Sequence, residues 1–407
     1  MRLYIGIDWS QSKHDICFLN PAGSTLAQLV IPHTQEGFWQ LEEIRQKLGG
    51  TVENCLLGLE TTHNILLDFL WDRGYTQLYI LHPRKVKSSR GRFRQSAARN
   101  DPSDALLIAD ILRTDHPRMH PWQPDHLLTR QIRAKIGFVS FLTRRIVGLT
   151  NRQRTLLLRY FPAATELFTT LKAPIAQYFI QAFPSPQAAA SLDLEQFQAF
   201  VRQHHYVHYH KLPGILATLQ QPYPQAAPEI ILACQQEAQM LAAILLQMIA
   251  AKKTMLREIK SLFAQHPDRE IYASLPGTGD YLQPALLSKF GDDRNRFPTP
   301  SRVQALAGTC PVTISSGKRK RVQFRKSCDH EFRHIVQQWA RISLRHSVWA
   351  NAYYARIRPH CDTESHAFRC LANRWMAVLW RLWQDQIPYD ESYHLSQRAL
   401  RSQPRAA

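Results

Sequence analysis

Four acidic residues stand where chemistry on a phosphodiester would need them: Asp8, Glu60, Asp101 and Asp104. Asp8 closes the apolar run of RLYIGIDWS (2–10), two residues after Gly6, and Glu60 closes the short run CLLGLE (55–60). Asp101 and Asp104 lie in RNDPSDALLIADILR (99–113), where Pro102 suits the first position of a helix. That makes Asp101 the N-cap and Asp104 the third helical residue, and a spacing of three turns the pair the same way. Converging carboxylates repel one another unless cations compensate, and hard oxygen ligands with room for water suit Mg2+ or Mn2+. Two such ions about 4 Å apart activate a nucleophile and stabilise a leaving oxygen. Taken singly, each acid has a plainer explanation, Asp101 and Asp104 as helix caps above all. The specificity lies in the set and its order.

The elements that must position these acids are legible as an α/β region over residues 1–125. RLYIGIDWS has the apolar run of a buried strand, KHDICFLNP (13–21) alternates, and the turn PAGST leads into LAQLVIPH (26–33), giving three consecutive antiparallel strands. Thr34 or a neighbour caps a helix over 36–48 that Gly49 and Gly50 close. CLLGLE is a further strand, a helix over about 63–73 ends at Gly74, and QLYILHP (77–83) is a fifth strand. Three strands followed by alternating helices and strands is the order of a ribonuclease-H-like domain. The strands bearing Asp8 and Glu60 are neighbours in that layout, so both acids project into one cleft.

Beyond it the chain reads as helical. Residues 127–160 and 229–266 carry apolar residues at spacings of three and four, the signature of long antiparallel helices or a coiled-coil arm. The expected divisions are a helical coiled-coil region over 126–268, with an insertion of unknown role at 161–228, a mostly α region over 269–394, and a disordered tail at 395–407.

Lys plus Arg number 51 against 32 for Asp plus Glu, a net charge of +19 that points to a polyanionic partner. HPRKVKSSRGRFRQSAARND (82–101) reads as a cationic loop entering the acidic helix, with Arg84, Lys85, Lys87, Arg90, Arg92, Arg94 and Arg99 to hold phosphates and Phe93 to stack on a base. A second cluster follows a Ser-Ser-Gly turn: Lys318, Arg319, Lys320, Arg321, Arg325 and Lys326. LPGTG (275–279) has the look of a loop that grips phosphates through outward backbone amides. The seven cysteines form no CxxC pair, which argues for reduced thiols and against a disulfide framework or a zinc site. MRLYIGIDWS enters a strand at once rather than forming a signal peptide, and LAAILLQMIAA (241–251) is too short to span a bilayer. The expectation is a cytoplasmic, nucleoid-associated bacterial protein with no membrane partner.

These motifs in this order resemble the DEDD transposases of bacterial insertion sequences, the family that includes the bridge-RNA-guided recombinases. GIDWS, GLETT and NDPSDA correspond to the family's three acidic motifs. LPGTG, the element Gly291-Asp292…Arg296-Phe297, ALAGTCP, the Ser-Gly turn and LANRWMAVLWRLWQDQIPYD (371–390) follow as they do in the family. Two features depart from it: Cys328 stands where glycine is usual, and 161–228 lengthens the chain.

The resemblance implies a RuvC-like N-terminal domain and a C-terminal transposase domain with an essential serine, which falls on Ser316 rather than its neighbour Ser315. Ser316 would form a covalent phosphoserine with DNA while the four carboxylates and their metals activate it. The implied partners are donor and target DNA duplexes, a structured guide RNA that pairs with them, and further copies of the chain, a dimer assembling to a tetramer. A RuvC-type endonuclease using metal-activated water is the alternative enzyme. A DNA-binding protein with a vestigial site and an actin-like ATPase are the remaining readings, and the ATPase lacks the further glycine-rich phosphate loops it would need.

Overall fold

The N-terminal apolar run becomes β1 (Leu3–Trp9), which pairs antiparallel with β2 (Lys13–Leu19), and β2 in turn with β3 (Thr25–Pro32). The computed structural model describes all residues except 62–64, 93–100, 225, 318 and 403–407, and the backbone alone of 92, 101, 102 and 397–402. The chain divides into two units, residues 1–125 and 126–407.

In the first unit α1 (Gln35–Lys47) follows β3; the Thr34 hydroxyl accepts from Gly37 N at 3.2 Å, capping the helix where the sequence placed a cap. Gly49 leaves it at a φ of +69°, the left-handed conformation glycine adopts without strain. β4 (Cys55–Leu59) then lies parallel beside β1, α2 (Ile65–Asp72) ends before Gly74, and β5 (Leu78–Ile80) lies parallel beside β4. The sheet order is β3-β2-β1-β4-β5.

Strand alternation sorts the side chains into two layers. Leu3, Ile5, Ile7, Leu57 and Leu59 pack with Phe38 and Leu41 of α1 and with Leu66, Leu67 and Leu70 of α2. Tyr4, Cys17, Leu19 and Leu56 point the other way, against Ala105, Ile108, Ala109 and Leu112 of a further helix, Asp101–Asp115. The basic segment read as a loop is partly helical: α3 (Pro83–Ser89) is capped by His82, whose Nδ1 accepts from Arg84 N at 3.1 Å, and Pro83 pre-sets its first turn. The helix Asp101–Asp115 is α4.

The second unit opens on α5 (Leu127–Tyr160), which runs antiparallel to the helix Pro228–Ala264, with ion pairs Lys135–Glu258 and Arg152–Glu237 across the seam. The apolar stretch 241–251 thus belongs to a helix of 37 residues that passes the length and hydropathy test for a membrane span. Its Ala238, Leu241, Ala242 and Leu245 are buried in protein, where the seam accounts for their apolar character. Residues 161–228 form short helices around a core of their own, with Phe168, Phe179 and Phe197 packed against the ends of both long helices. The C-terminal core gathers Tyr272, Phe290, Phe332, Trp339, Trp375 and Trp383. From this helical region stands a two-stranded antiparallel ribbon, β6 (Val312–Ser316) and β7 (Arg319–Gln323), which the sequence reading did not anticipate. A last helix, Glu391–Ser402, runs through the first part of the tail read as disordered.

Candidate active site

The parallel ladder of β1 and β4 pairs Gly6 with Gly58 and ends at Ile7 opposite Leu59. Asp8 and Glu60 come one step later, so by strand parity they share the face of Gly6, Gly58 and Tyr4, the face that carries α4. The two glycines are what let α4 lie there. A Cβ on Gly6 would sit 2.1 Å from the Ala105 carbonyl oxygen and 2.4 Å from Ala109 N, and one on Gly58 would meet Ile108 Cγ2 at 2.9 Å. No side-chain layer separates the β1 backbone from the α4 backbone at Gly6.

α4 begins at Asp101 and carries Asp104 in its first turn. Asp101 contributes its helix position alone, because its side chain lies outside the described residues. Asp104 is ion-paired with Arg90 at 2.8 Å. The Glu60 carboxyl is pushed up from the usual range by burial and by the charge of Asp104, while Arg90 and His82 pull the other way. Glu60, Asp104, Arg90 and His82 therefore share one space, reached from the ends of β4 and β5 and the start of α4. A fifth acid enters on the other side: Asp15 of β2 is the cross-strand partner of Asp8, 4% exposed, with Lys13 Nζ at 3.9 Å. The alternation of KHDICFL puts Asp15 on the α4 face, a signal present in the sequence in the middle of a strand rather than at its end.

In the basic segment Lys85 pairs with Asp115 at 3.0 Å and Arg90 with Asp104, and the side chains of Arg84 and Lys87 on α3 reach the surface. The Arg92 side chain, Phe93, Arg94 and Arg99 lie outside the described residues.

The close approach at Gly6 makes a direct prediction. Gly6→Ala must move α4, since both clashing atoms are backbone, and should cost about 3 kcal/mol or more of stability, the upper end for overpacking. Gly58→Ala meets side-chain atoms rather than backbone, Ile108 Cγ2 at 2.9 Å and Leu81 Cδ1 at 3.0 Å, and should cost less. Urea midpoints of the two variants check the order.

Known proteins share sequence with this chain along most of its length. Residues 5–162 match a model of DEDD transposases of the IS110 type, and residues 269–355 match the transposase family IS116/IS110/IS902. The chain belongs to this transposase family. Over 404 residues it is 29% identical to the mini-circle putative transposase for IS117 of Streptomyces coelicolor, the match covering 96% of each chain. An uncharacterized 43.6 kDa protein of insertion element IS110 from the same organism is 22% identical over 399 residues, 95% of each chain. A putative transposase of Sinorhizobium fredii is 26% identical over 203 residues, 49% of this chain and 56% of that one. The chain is thus a DNA transposase, and membership of a DEDD family carries dependence on a divalent metal.

The transposase's second matched segment contains the ribbon. Ser316 ends β6 opposite Arg319, and Ser315 stands opposite Lys320; Gly317 turns the chain at a φ of +55°. Parity puts Ser316 on one face with Ile314, Arg319 and Arg321, and Ser315 on the other with Thr313, Lys320 and Val322. All of these side chains are exposed. Lys318 lies outside the described residues, Lys326 is exposed, and Arg325 is partly held by donating from Nε to the Cys310 carbonyl at 3.2 Å.

Two of the family's motifs also make contacts within the second unit. In LPGTG the Thr278 side chain is buried and its hydroxyl donates to the Leu275 carbonyl at 2.9 Å, while the Pro276 carbonyl accepts from Trp339 Nε1 at 3.0 Å. Asp292 accepts from His126 N at 2.7 Å and Thr129 Oγ1 at 2.8 Å, tying the element after Gly291 to the start of α5. Burial would raise the Asp292 carboxyl, but hydrogen bonds from His266, Thr129 and His126 hold it below the usual range. Cys328, the departure from the family pattern, packs against Gly308 and accepts from Arg333.

Proposed function

We propose that this transposase moves an insertion sequence by cutting and rejoining DNA through a covalent phosphoserine on Ser316, at sites chosen by a structured bridge RNA. The first unit acts as a RuvC-like, ribonuclease-H-like domain; the sheet order β3-β2-β1-β4-β5, with its first three strands antiparallel and the last two parallel to β1, supports that reading. The observation that carries the proposal is the common face of Asp8 and Glu60, one step past the Gly6–Gly58 pair, with α4 bringing Asp104 to Glu60.

The donor set fits Mg2+ or Mn2+: it is all carboxylate oxygen, it is crowded enough that Glu60 feels the charge of Asp104, and its built-in cation, Arg90, already pairs with one acid. Asp8, Glu60, Asp101 and Asp104 would hold the metal, which supplies Lewis-acid stabilisation of charge on the phosphate oxygens. The remaining work falls to the chain's own groups. Arg319 and Arg321 share the face of Ser316 and are suited to seat a phosphate against its hydroxyl. Ser316 Oγ forms the new P–O bond as the strand's oxygen leaves; the proton lost by Ser316 and the one gained by the leaving oxygen balance through water. Because one ester replaces another, the bond energy is kept, and a hydroxyl of the new strand reverses the exchange to rejoin. Donor and target duplexes would be held by Arg84, Lys87, Lys320 and Lys326, whose charges suit backbone phosphates rather than bases. Assembly of the chain as a dimer and then a tetramer belongs to the same reading.

The test joins purified protein, Mg2+, donor and target duplexes, and RNA transcribed from the non-coding flank of the insertion sequence. Joined products should appear only with RNA and should follow changes made in its pairing segment. Joining at unchanged sites after ribonuclease treatment overturns the guide. Nicked strands with no joining favour hydrolysis by water.

A further inference from the structure

The helix Glu364–Asp385 carries His366 in its first turn and Cys370 one turn later, a spacing of four that stacks their side chains on one face. Cys361 lies in the extended segment just before that helix and is buried. The Sγ atoms of Cys361 and Cys370 and a ring nitrogen of His366 all lie within 4.8 Å of one another. Among the described residues no other three Cys, His, Asp or Glu groups come so close together. We infer that Cys361, His366 and Cys370 form a binding site for a thiophilic divalent cation of the Zn2+ class, separate from the carboxylate site of the first unit.

The ligand chemistry selects that class. Two thiolates and an imidazole are soft and borderline donors, poor for Mg2+ and well matched to tetrahedral Zn2+, which takes a water as fourth ligand where the protein offers three. Bonds of about 2.0–2.3 Å make tetrahedron edges of roughly 3.5–3.8 Å, so the three donors need close by only about 1 Å, within the reach of side-chain rotation. The frame around them is held. Thr363 caps the helix by accepting from His366 N at 3.2 Å, Arg358 donates to the Cys361 carbonyl at 3.0 Å, and Phe368, Leu371 and Ala372 anchor the helix in the core. Burial and the neighbouring Cys361 thiol hold the Cys370 thiol above its usual range against the pull of Arg369 and Arg374, so a cation must displace its proton on binding. Arg369 also stacks over Phe324 at 4.6 Å, the residue that follows β7, so the site braces the foot of the ribbon that bears Ser316. The absence of a CxxC pair hid the site from the sequence, because its ligands are split between a loop and a helix.

Full-length protein, reduced and stripped with a chelator, is titrated with Co2+ as a spectroscopic substitute. One equivalent should produce an ultraviolet thiolate-to-cobalt charge-transfer band and the visible bands of a tetrahedral ion, and Zn2+ should abolish both. Cys361→Ser and Cys370→Ser should each lose the charge-transfer intensity or most of it, Cys310→Ser should keep it, and His366→Cys should strengthen it. The inference is overturned if the unmodified protein gives no such band, if the band persists in both Cys361→Ser and Cys370→Ser, or if mass spectrometry finds those two cysteines joined as a disulfide in freshly purified protein. The first and third outcomes need no variant to fold.

Discussion

Asp8→Asn should lower strand cleavage and joining on the order of 10³-fold or more. Metal ions supply several kcal/mol of transition-state stabilisation, and each 1.36 kcal/mol is a factor of ten in rate. Asn keeps the shape of Asp and loses the charge that holds the cation. Glu60→Gln and Asp104→Asn should act alike. Glu60→Gln should in addition leave the folded protein at least as stable as before. Burial and Asp104 raise the Glu60 carboxyl above the value it has in an unfolded chain, so the folded state binds its proton more tightly. Such a group favours folding at low pH and costs stability as pH rises from the unfolded value through the folded one, so at neutral pH the neutral amide removes a cost. Melting curves would thus separate two effects: Mg2+ should raise the melting temperature of the parent protein and do little for the amide variants. An amide variant that rejoins DNA at the parental rate would remove the acids from the chemistry.

Ser316→Ala should abolish the covalent protein–DNA adduct and lower joining by a comparable factor, as loss of a covalent nucleophile does in other enzymes. Ser315→Ala is the control that gives the result its meaning. The two serines are adjacent but occupy opposite faces of the ribbon, Ser316 beside Arg319 and Ser315 beside Lys320, so only one of them can meet a given phosphate. Both are exposed and neither side chain supports a core, which makes loss of fold an improbable cause of lost activity. Denaturing gels of labelled DNA after short reaction times read the adduct directly. Strand cutting that survives in Ser316→Ala without an adduct would turn the reading to metal-activated water.

Much of the first unit was legible because its signals are local. The alternation of KHDICFL, the apolar run before Asp8, the cap at Thr34 and the exits at Gly49 and Gly74 each act over a few residues, and the strands and helices follow them. What escaped depends on contacts between distant segments. Gly6 and Gly58 look like weak points in strands until α4 lies on them, and Asp15 joins the acids only through the register that sets it opposite Asp8. In LPGTG the Trp339 indole and the buried Thr278 hydroxyl hold the loop to the core through contacts that its composition does not show. The ribbon was masked by its own charge: RKRVQ carries three basic residues among five, and strand alternation is hard to see when both faces meet solvent.

The backbone contact at Gly6 also bears on how dead copies of such an element should be recognised. A copy in which Gly6 has become Ala or Ser keeps every carboxylate and Ser316, and would pass any inspection limited to the chemical groups. Its acids would nonetheless be carried on a displaced helix, since the Ala105 carbonyl cannot share space with a methyl group. Silent copies of this transposase are therefore to be sought at two glycines as much as at the acids.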